Sequence, residues 1–400
     1  MSVYKIYYQQ ADGYFRILDS ETEQITVNKF QPKKVNAFAL FKDYEPSDDG
    51  IHKFHEDFKQ WCKELRYNKI LSVDYTKYYS HHSAVELTFK RLCKDKWEHH
   101  ESISVIEGKW ADMCNNGGLM YCNKGIHDSY GYDGKAFYPS ILASDDFKIP
   151  SKQGHEIILA NLPSKRADIK CGYYKVKITC DNDNFRKIFA FSQQHVYTHL
   201  SIKQAMMYKK IFNVSIELVQ NGKPNAYIYD DSCLISSSDI FDKWYDTLMQ
   251  LKKLYPKNQL VKHLMSSVWG HLSRTNKLTK TYEQIIEEGL NIGRTAKAEY
   301  LIEDRHIYPD KEYYVLVHRE NPYKFPLRLK SFITAYGRNR ISQVVLLDID
   351  NVIRIQTDNV CFNRPTVMVD ESFVAEKKTT GKIHWHHVNS GVRLEKVEIH

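Results

Sequence analysis

The sequence predicts an α+β fold in two or three subdomains, and three observations carry that prediction. Residues 1 to about 45 alternate apolar and polar side chains around the turn signal Ala11-Asp-Gly13, the pattern of a hairpin-rich β segment. From Ser47 to Leu92 the period becomes helical, with Phe54, Phe58, Trp61 and Leu65 near 3.6-residue spacing. Two carboxylates far apart in sequence, Asp133 and Asp358, each stand at the exit of an apolar or aromatic run, where a strand end would present them. A chain of 400 residues is too long for a single core.

The remaining elements follow in order. After a loop, Cys114-Asn-Asn-Gly-Gly-Leu-Met-Tyr-Cys122 carries paired glycines, Gly117 and Gly118, that let backbone approach a neighbour closely. Strands are expected around Glu156 to Leu159 and from Gly172 to Thr179. Helices are expected from Ser201 to Phe212 and from Asp239 to Leu254, the second entered through a Ser-Ser-Asp cap. Pro256 ends that helix, and another should run from about Asn258 to Leu272. Residues 280 to 320 mix a short helix with β-rich, Tyr-dense sequence. A helix from about Arg328 to Leu347 then leads into the strand that carries Asp358. No internal repeat or low-complexity linker interrupts the chain.

The hydrophobic fraction of 42% and charged fraction of 26% are those of an ordinary folded protein. The 28 tyrosines, interleaved with lysines at a formal net charge of +8, are not. They suit a surface that tracks a phosphate backbone and stacks bases, and they equally suit an AT-rich genome. Eight scattered cysteines without a CxxC pair read as free thiols of a reducing compartment. The Met-Ser-Val-Tyr-Lys start has no signal peptide and no apolar run approaches 18 residues, so an intracellular protein without a membrane partner is expected. His384-Trp-His-His387 reads as surface or core histidines before it reads as a metal site.

Candidate chemistry sits in three places. The islands Asp133-Gly-Lys-Ala-Phe-Tyr138-Pro-Ser140 and Arg354-Ile-Gln356-Thr357-Asp358-Asn359 supply two carboxylates. Two-metal phosphoryl chemistry needs such a pair, because two divalent ions about 3.5–4 Å apart must share oxygen ligands. Between the islands, Lys262, Ser266 and Trp269 or Gly270 fall at i, i+4 and i+7 or i+8, on one helix face. A cation, a hydroxyl, an aromatic plate and bare backbone together can read a nucleotide. The same helix can also be a plain amphipathic one, with Leu260, Leu264 and Val268 in a core.

These residues resemble the motifs of family B DNA polymerases. Asp133 to Ser140 is similar to D-x-x-S-L-Y-P-S, Lys262 to Gly270 to K-x-x-x-N-S-x-Y-G, and Thr357-Asp358 to the second half of D-T-D-S. Gly117-Gly118 resembles the Y-x-G-G element of the protein-primed viral and linear-plasmid branch. Phe332 to Arg338 resembles the helix before the catalytic strand in that branch, and His195 to Leu200 the entry to the fingers. The likeness covers residues 115 to about 385.

The resemblance implies a right-hand polymerase with an antiparallel palm sheet and its helices, helical fingers, a reduced thumb and a small α/β N-terminal region. Its divisions are 1–110 N-terminal, 111–180 first palm part, 181–275 fingers, 276–365 second palm part and 366–400 the start of the thumb. It implies that Asp133 and Asp358, with the Gly134 carbonyl, hold two Mg2+ ions, for which Mn2+ can substitute. It places Lys262 on the incoming phosphates, with Lys252, Lys253 and Lys257 in support, and assigns nucleotide contacts also to Ser266, Trp269 and Gly270. Tyr138 would stack under the deoxyribose. Gly117, Gly118 and Thr357 would face DNA, and Lys377, Lys378 and Lys382 would grip the primer strand.

Three departures accompany the likeness. Gln356 stands where the family has the first aspartate of D-T-D-S, and Asn359 where it has serine; Trp269 and Ser266 replace tyrosine and asparagine. Residues 1–132 are short for a proofreading exonuclease, although Asp19-Ser-Glu21-Thr echoes a D-x-E-T, and residues 359–400 are short for a thumb. The expectation is a template-directed DNA polymerase without proofreading. Its partners would be primer-template DNA, dNTPs and, as a candidate primer, a terminal protein, at a site of viral or plasmid replication in cytoplasm or nucleus. The alternative is a polymerase-like nucleic-acid-binding replication factor that has lost turnover.

Overall fold

In the computed structural model the chain forms two units, Met1–Glu98 with Ser238–His271, and His99–Ser237 with Leu272–His400. The structure describes residues 4–29, 37–41, 43–77, 81–97, 100–114, 116–123, 125–272, 277–293, 298–307, 312–324, 327–366, 373–383, 385–386 and 395–396. Residues 181–275 are therefore shared, 181–237 with the second unit and 238–271 with the first.

In the first unit, strand Lys5–Gln9 pairs antiparallel with Phe15–Asp19 through the Ala11-Asp-Gly13 turn. Gly13 takes φ 86 there, and the Asp12 carboxylate accepts the Tyr14 amide at 3.0 Å. Ile25–Asn28 extends the sheet on one side, and Ala37–Ala39 pairs parallel on the other. Asp19, of the exonuclease-like quartet, accepts the Glu21 amide at 2.9 Å within its own hairpin turn. Helix Asp48–Tyr67 starts at Ser47, whose side chain accepts the Gly50 amide. It buries Phe54, Phe58, Trp61 and Leu65, the stripe expected from the sequence, with Phe58 against Tyr4 and Phe38. Helices His81–Trp97, Ser238–Leu254 and Gln259–Ser266 complete this unit.

One expectation is corrected here. The helix foreseen from about Asn258 to Leu272 is two, Gln259–Ser266 and Val268–His271. The interruption falls on Ser266-Ser267, residues whose hydroxyls compete with the helical backbone. The Ser267 hydroxyl lies 3.4 Å from the His263 ring one turn back.

In the second unit a five-stranded antiparallel sheet runs in the order Phe373–Ile383, Gly125–Gly134, Asn359–Phe362, Val352–Gln356, Met120–Cys122. A second sheet is built around Gly172–Thr179, flanked by Val196–Thr198, Ser215–Leu218 and Ala226–Ile228. Lys277–Thr281, Tyr300–Ile307 and Glu312–His318 form a three-stranded sheet, and a Thr281/Gln284 capping box starts the short helix Tyr282–Glu287.

Helix Leu327–Leu346 runs through this unit and is buried along most of its length. Several of its polar residues find buried partners, whereas Asn339 Oδ1 is buried without a hydrogen bond. Arg328 and Glu107, both fully buried, form an ion pair in which Arg328 Nη2 donates to Glu107 Oε2 at 2.8 Å and Nε to Oε1. Tyr229 donates its hydroxyl to the same carboxylate at 2.8 Å, and Arg328 also donates to the carbonyls of Glu101 and Ser102. Burial alone would push the guanidinium down, but Glu107 holds it above its ordinary value.

Much of the tyrosine content serves this core. Tyr173, Tyr174, Tyr197 and Tyr229 are fully buried, and Tyr173 stacks on Phe332 with ring centroids 5.0 Å apart. The base-stacking reading of the composition does not extend to these rings. Among the described residues no helix is long and apolar enough to cross a membrane.

Candidate active site

Asp133 ends an apolar-aromatic stretch on strand Gly125–Gly134, and its cross-strand partner is Asn359. Asp358 corrects one expectation: it lies in the two-residue turn between Val352–Gln356 and Asn359–Phe362, not on a strand. The first turn residue, Thr357, has φ 59, in the left-handed region that usually takes glycine. A β-branched residue there carries roughly 1–2 kcal/mol of backbone strain. Strain of this kind persists where surroundings over-determine the geometry. Here the Thr357 amide donates to the Leu119 carbonyl at 2.9 Å, the Asp358 amide to Gln356 at 2.7 Å, and the Gly134 amide to the Asp358 carbonyl at 2.9 Å.

Those bonds set the two carboxylates side by side. Burial first, and the Asp133 charge second, push the Asp358 carboxyl above its ordinary value. The folded state thus holds the Asp358 proton more tightly than the unfolded chain does. This contribution to stability is full below the ordinary carboxylate range and is lost as pH rises through the raised value. In EDTA, Asp358→Asn is therefore expected to melt above the wild type at pH 7, and the gap should close near pH ~4. Thermal melts at the two pH values check this.

The neighbours of the pair are also placed. Asn359 Nδ2 donates to Asp133 Oδ1 at 3.1 Å, and Arg354 donates to the Gln356 side chain on the adjoining strand. Gly134 has no room for a side chain, since a Cβ would come within 2.6 Å of the Phe137 ring. Beyond it the chain turns through Ala136 at φ 44 into helix Phe137–Leu142. Tyr138 on that helix is nearly covered, and burial pushes its hydroxyl up to about 12. Its ring lies against Gly337, where a Cβ would meet Tyr138 Cε1 at 3.0 Å.

The paired glycines belong to the same neighbourhood. A Cβ on Gly118 would lie 2.9 Å from Thr357 Cγ2, so what its bare backbone approaches is the turn carrying Asp358. Gly117 is exposed, and its carbonyl accepts from Arg338 at 2.7 Å, as Asn116 does at 3.1 Å. Gly118→Ala should cost about 1–3 kcal/mol by overpacking, read as a lowered denaturation midpoint, whereas Gly117→Ala meets open space.

Arg338 received no role from its motif in the sequence. It is a buried cation whose two bonds hold the Gly-Gly loop, and burial pushes its guanidinium down. An arginine amid the mostly buried Phe332–Arg338 stretch was the available signal.

Lys252, Lys257, Lys262, Ser266, Trp269 and Gly270 all belong to the first unit. Lys262 and Ser266 on helix Gln259–Ser266 and Gly270 on helix Val268–His271 are exposed, while Leu260, Leu264 and Val268 are buried, as an amphipathic segment requires. Lys252, Lys253 and Lys257 are exposed. The side chains of Trp269, Lys377, Lys378 and Lys382 lie outside the described residues, as do His384 and His387; the backbone of the three lysines runs in strand Phe373–Ile383 beside Gly125–Gly134.

No protein-family model matches the chain, and no curated protein matches it in sequence. Among solved structures its fold is similar to Phi29 DNA polymerase complexed with single-stranded DNA, with TM-score 0.50 and 12% identity over 81% of this chain and 53% of that one. The primer-template post-translocation binary complex gives 0.51 and 13% over 80% and 52%, and the ternary complex with incoming nucleotides 0.52 and 12% over 80% and 53%. The chain spans about half the length of the polymerase it matches. At such identity the likeness is one of fold: the chain has a mixed α/β, DNA-polymerase-like fold.

Proposed function

We propose that the chain is a template-directed DNA polymerase of the protein-primed family B kind, without proofreading, that adds deoxynucleotides to a primer. The observation that carries the reading is the placing of Asp133, at the end of its strand, near enough to Asp358, in the neighbouring turn of the same sheet, that its charge adds to burial in raising the Asp358 carboxyl. Two crowded carboxylates form a hard oxygen donor set that fits divalent magnesium, with manganese able to substitute. When bound, two such ions would activate a primer 3′-hydroxyl and neutralise the leaving diphosphate.

The chain's own residues do the rest on this reading. Asp133 and Asp358 hold the ions, with the Gly134 carbonyl as a third donor, and Asn359 orients the Asp133 carboxylate. Tyr138 underlies the sugar, and Gly337 leaves room for its ring. Gly117 and Gly118 bring backbone to template phosphates beside Thr357, and Arg338 fixes that loop. Lys262, supported by Lys252 and Lys257, meets the incoming triphosphate, with Ser266 on the same helix and Trp269 and Gly270 on the short helix that follows. Lys377, Lys378 and Lys382 grip the primer strand. Residues 111–180 and 276–365 are the palm, 181–275 the fingers and 366–400 a reduced thumb. A terminal protein is the candidate primer, and viral or plasmid DNA the replicon.

One observation favours a second reading, a polymerase-like replication factor that binds DNA without turnover: Gln356, in the place of an acid, is engaged by Arg354. Extension of a labelled primer with dNTPs and Mg2+ or Mn2+ decides between them. Salt-sensitive binding without extension under either metal leaves the second.

A further inference from the structure

The first unit carries a cluster that the polymerase reading does not use. Glu23, in the turn after strand Phe15–Asp19, and His55 and Glu56, on helix Asp48–Tyr67, bring three ligand atoms within 4.8 Å of one another. The His55 side chain is 3% exposed, and its Nε2 has no hydrogen-bond partner. That nitrogen faces Glu23 Oε1 at 3.6 Å and Glu56 Oε1 at 3.8 Å. We propose that Glu23, His55 and Glu56 bind a zinc-type divalent cation that clips the turn to the helix.

The distances argue for an ion between the groups. They are too long for hydrogen bonds. Ligand atoms each about 2.1 Å from a tetrahedral metal lie roughly 3.4 Å apart, close to the separations seen. His55 Nδ1 sits 3.3 Å from the Tyr4 hydroxyl. With the proton on Nδ1 shared toward Tyr4, the lone pair of Nε2 points at the carboxylates, the arrangement of a metal-ligating histidine.

An imidazole with two carboxylates selects a zinc-type ion over magnesium, and three protein ligands leave a fourth position for water. Lys59 Nζ, 3.9 Å from Glu23 and 3.6 Å from Glu56, is a competing cation. Its side chain is 41% exposed and flexible enough to leave.

The test uses the full chain carrying Asp133→Asn and Asp358→Asn, which removes the other acidic pair. Titration with Zn2+ alone should show one equivalent bound. Glu23→Gln with Glu56→Gln, both at exposed side chains, should weaken it at least about tenfold, as even an outer partner of a ligand does. Lys59→Gln should strengthen it. Co2+ in place of Zn2+ should give d–d bands without thiolate charge transfer, which excludes the eight cysteines. Absence of bound zinc, affinity indifferent to the glutamine pair, or a thiolate band overturns the proposal. Thermal melts show that each variant is folded.

Discussion

Asn in place of Asp358 is expected to lower primer extension on the order of 10³-fold, while salt-dependent DNA binding stays close to wild type. The exchange is isosteric and removes one charge. The Gly134 amide still reaches the residue 358 carbonyl, so the turn keeps its place. What disappears is half of the charge that would hold the cations. On the proposed reading, phosphate contacts by lysines would set the salt slope, and the exchange leaves those lysines untouched. Asp133→Asn should be as inactive but differ in stability. Both exchanges relieve the mutual repulsion, but Asp133→Asn also turns the bond from Asn359 Nδ2 into an amide–amide one, a loss of about 1 kcal/mol, whereas Asp358→Asn also removes a carboxylate from a buried place. Extension gels with binding titrations across a salt series measure both. Full extension by Asp358→Asn would remove the acid pair from the chemistry.

Glu107→Gln should destabilise the second unit by about 3–5 kcal/mol. It strands the Arg328 guanidinium as an uncompensated charge in a place neither side chain shares with water. The neutral amide put there still offers one oxygen, which Arg328 and Tyr229 would both require. Replacing both partners by apolar residues of similar volume should cost much less than the single change, because no charge is then left buried. Loss of amide-exchange protection along helix Leu327–Leu346 reads the effect in this unit, avoiding a two-state analysis of a chain with two units.

Elements with a strong period were legible in the sequence. Strand Gly172–Thr179 has the bounds expected, and helix Leu327–Leu346 is displaced by one residue. Helix Asp48–Tyr67 announced its start and its buried stripe. That Asp133 and Asp358 each close an apolar or aromatic run was also legible, the first at a strand end and the second in a turn. What the residues could not disclose was tertiary pairing of charge. Nothing in the sequence ties Glu107 to Arg328, which the fold buries together, and Arg338 becomes a loop anchor only when Gly117 comes within reach. The break at Ser267 was hidden for another reason. The apolar spacing of Leu260, Leu264 and Val268 continues across it, so periodicity alone passes over a local hydroxyl.

The strand carrying Asp133 has a consequence for how the protein is made. Both of its neighbours in the sheet, Asn359–Phe362 and Phe373–Ile383, are synthesised long after it. While the ribosome works through the intervening residues, Gly125–Gly134 waits with both edges bare, open to strand-to-strand association. The acidic centre comes into being only when the strands from residue 352 onward have emerged. Until then, a nascent chain holds Asp133 on a strand with no neighbour and no assembled acidic centre.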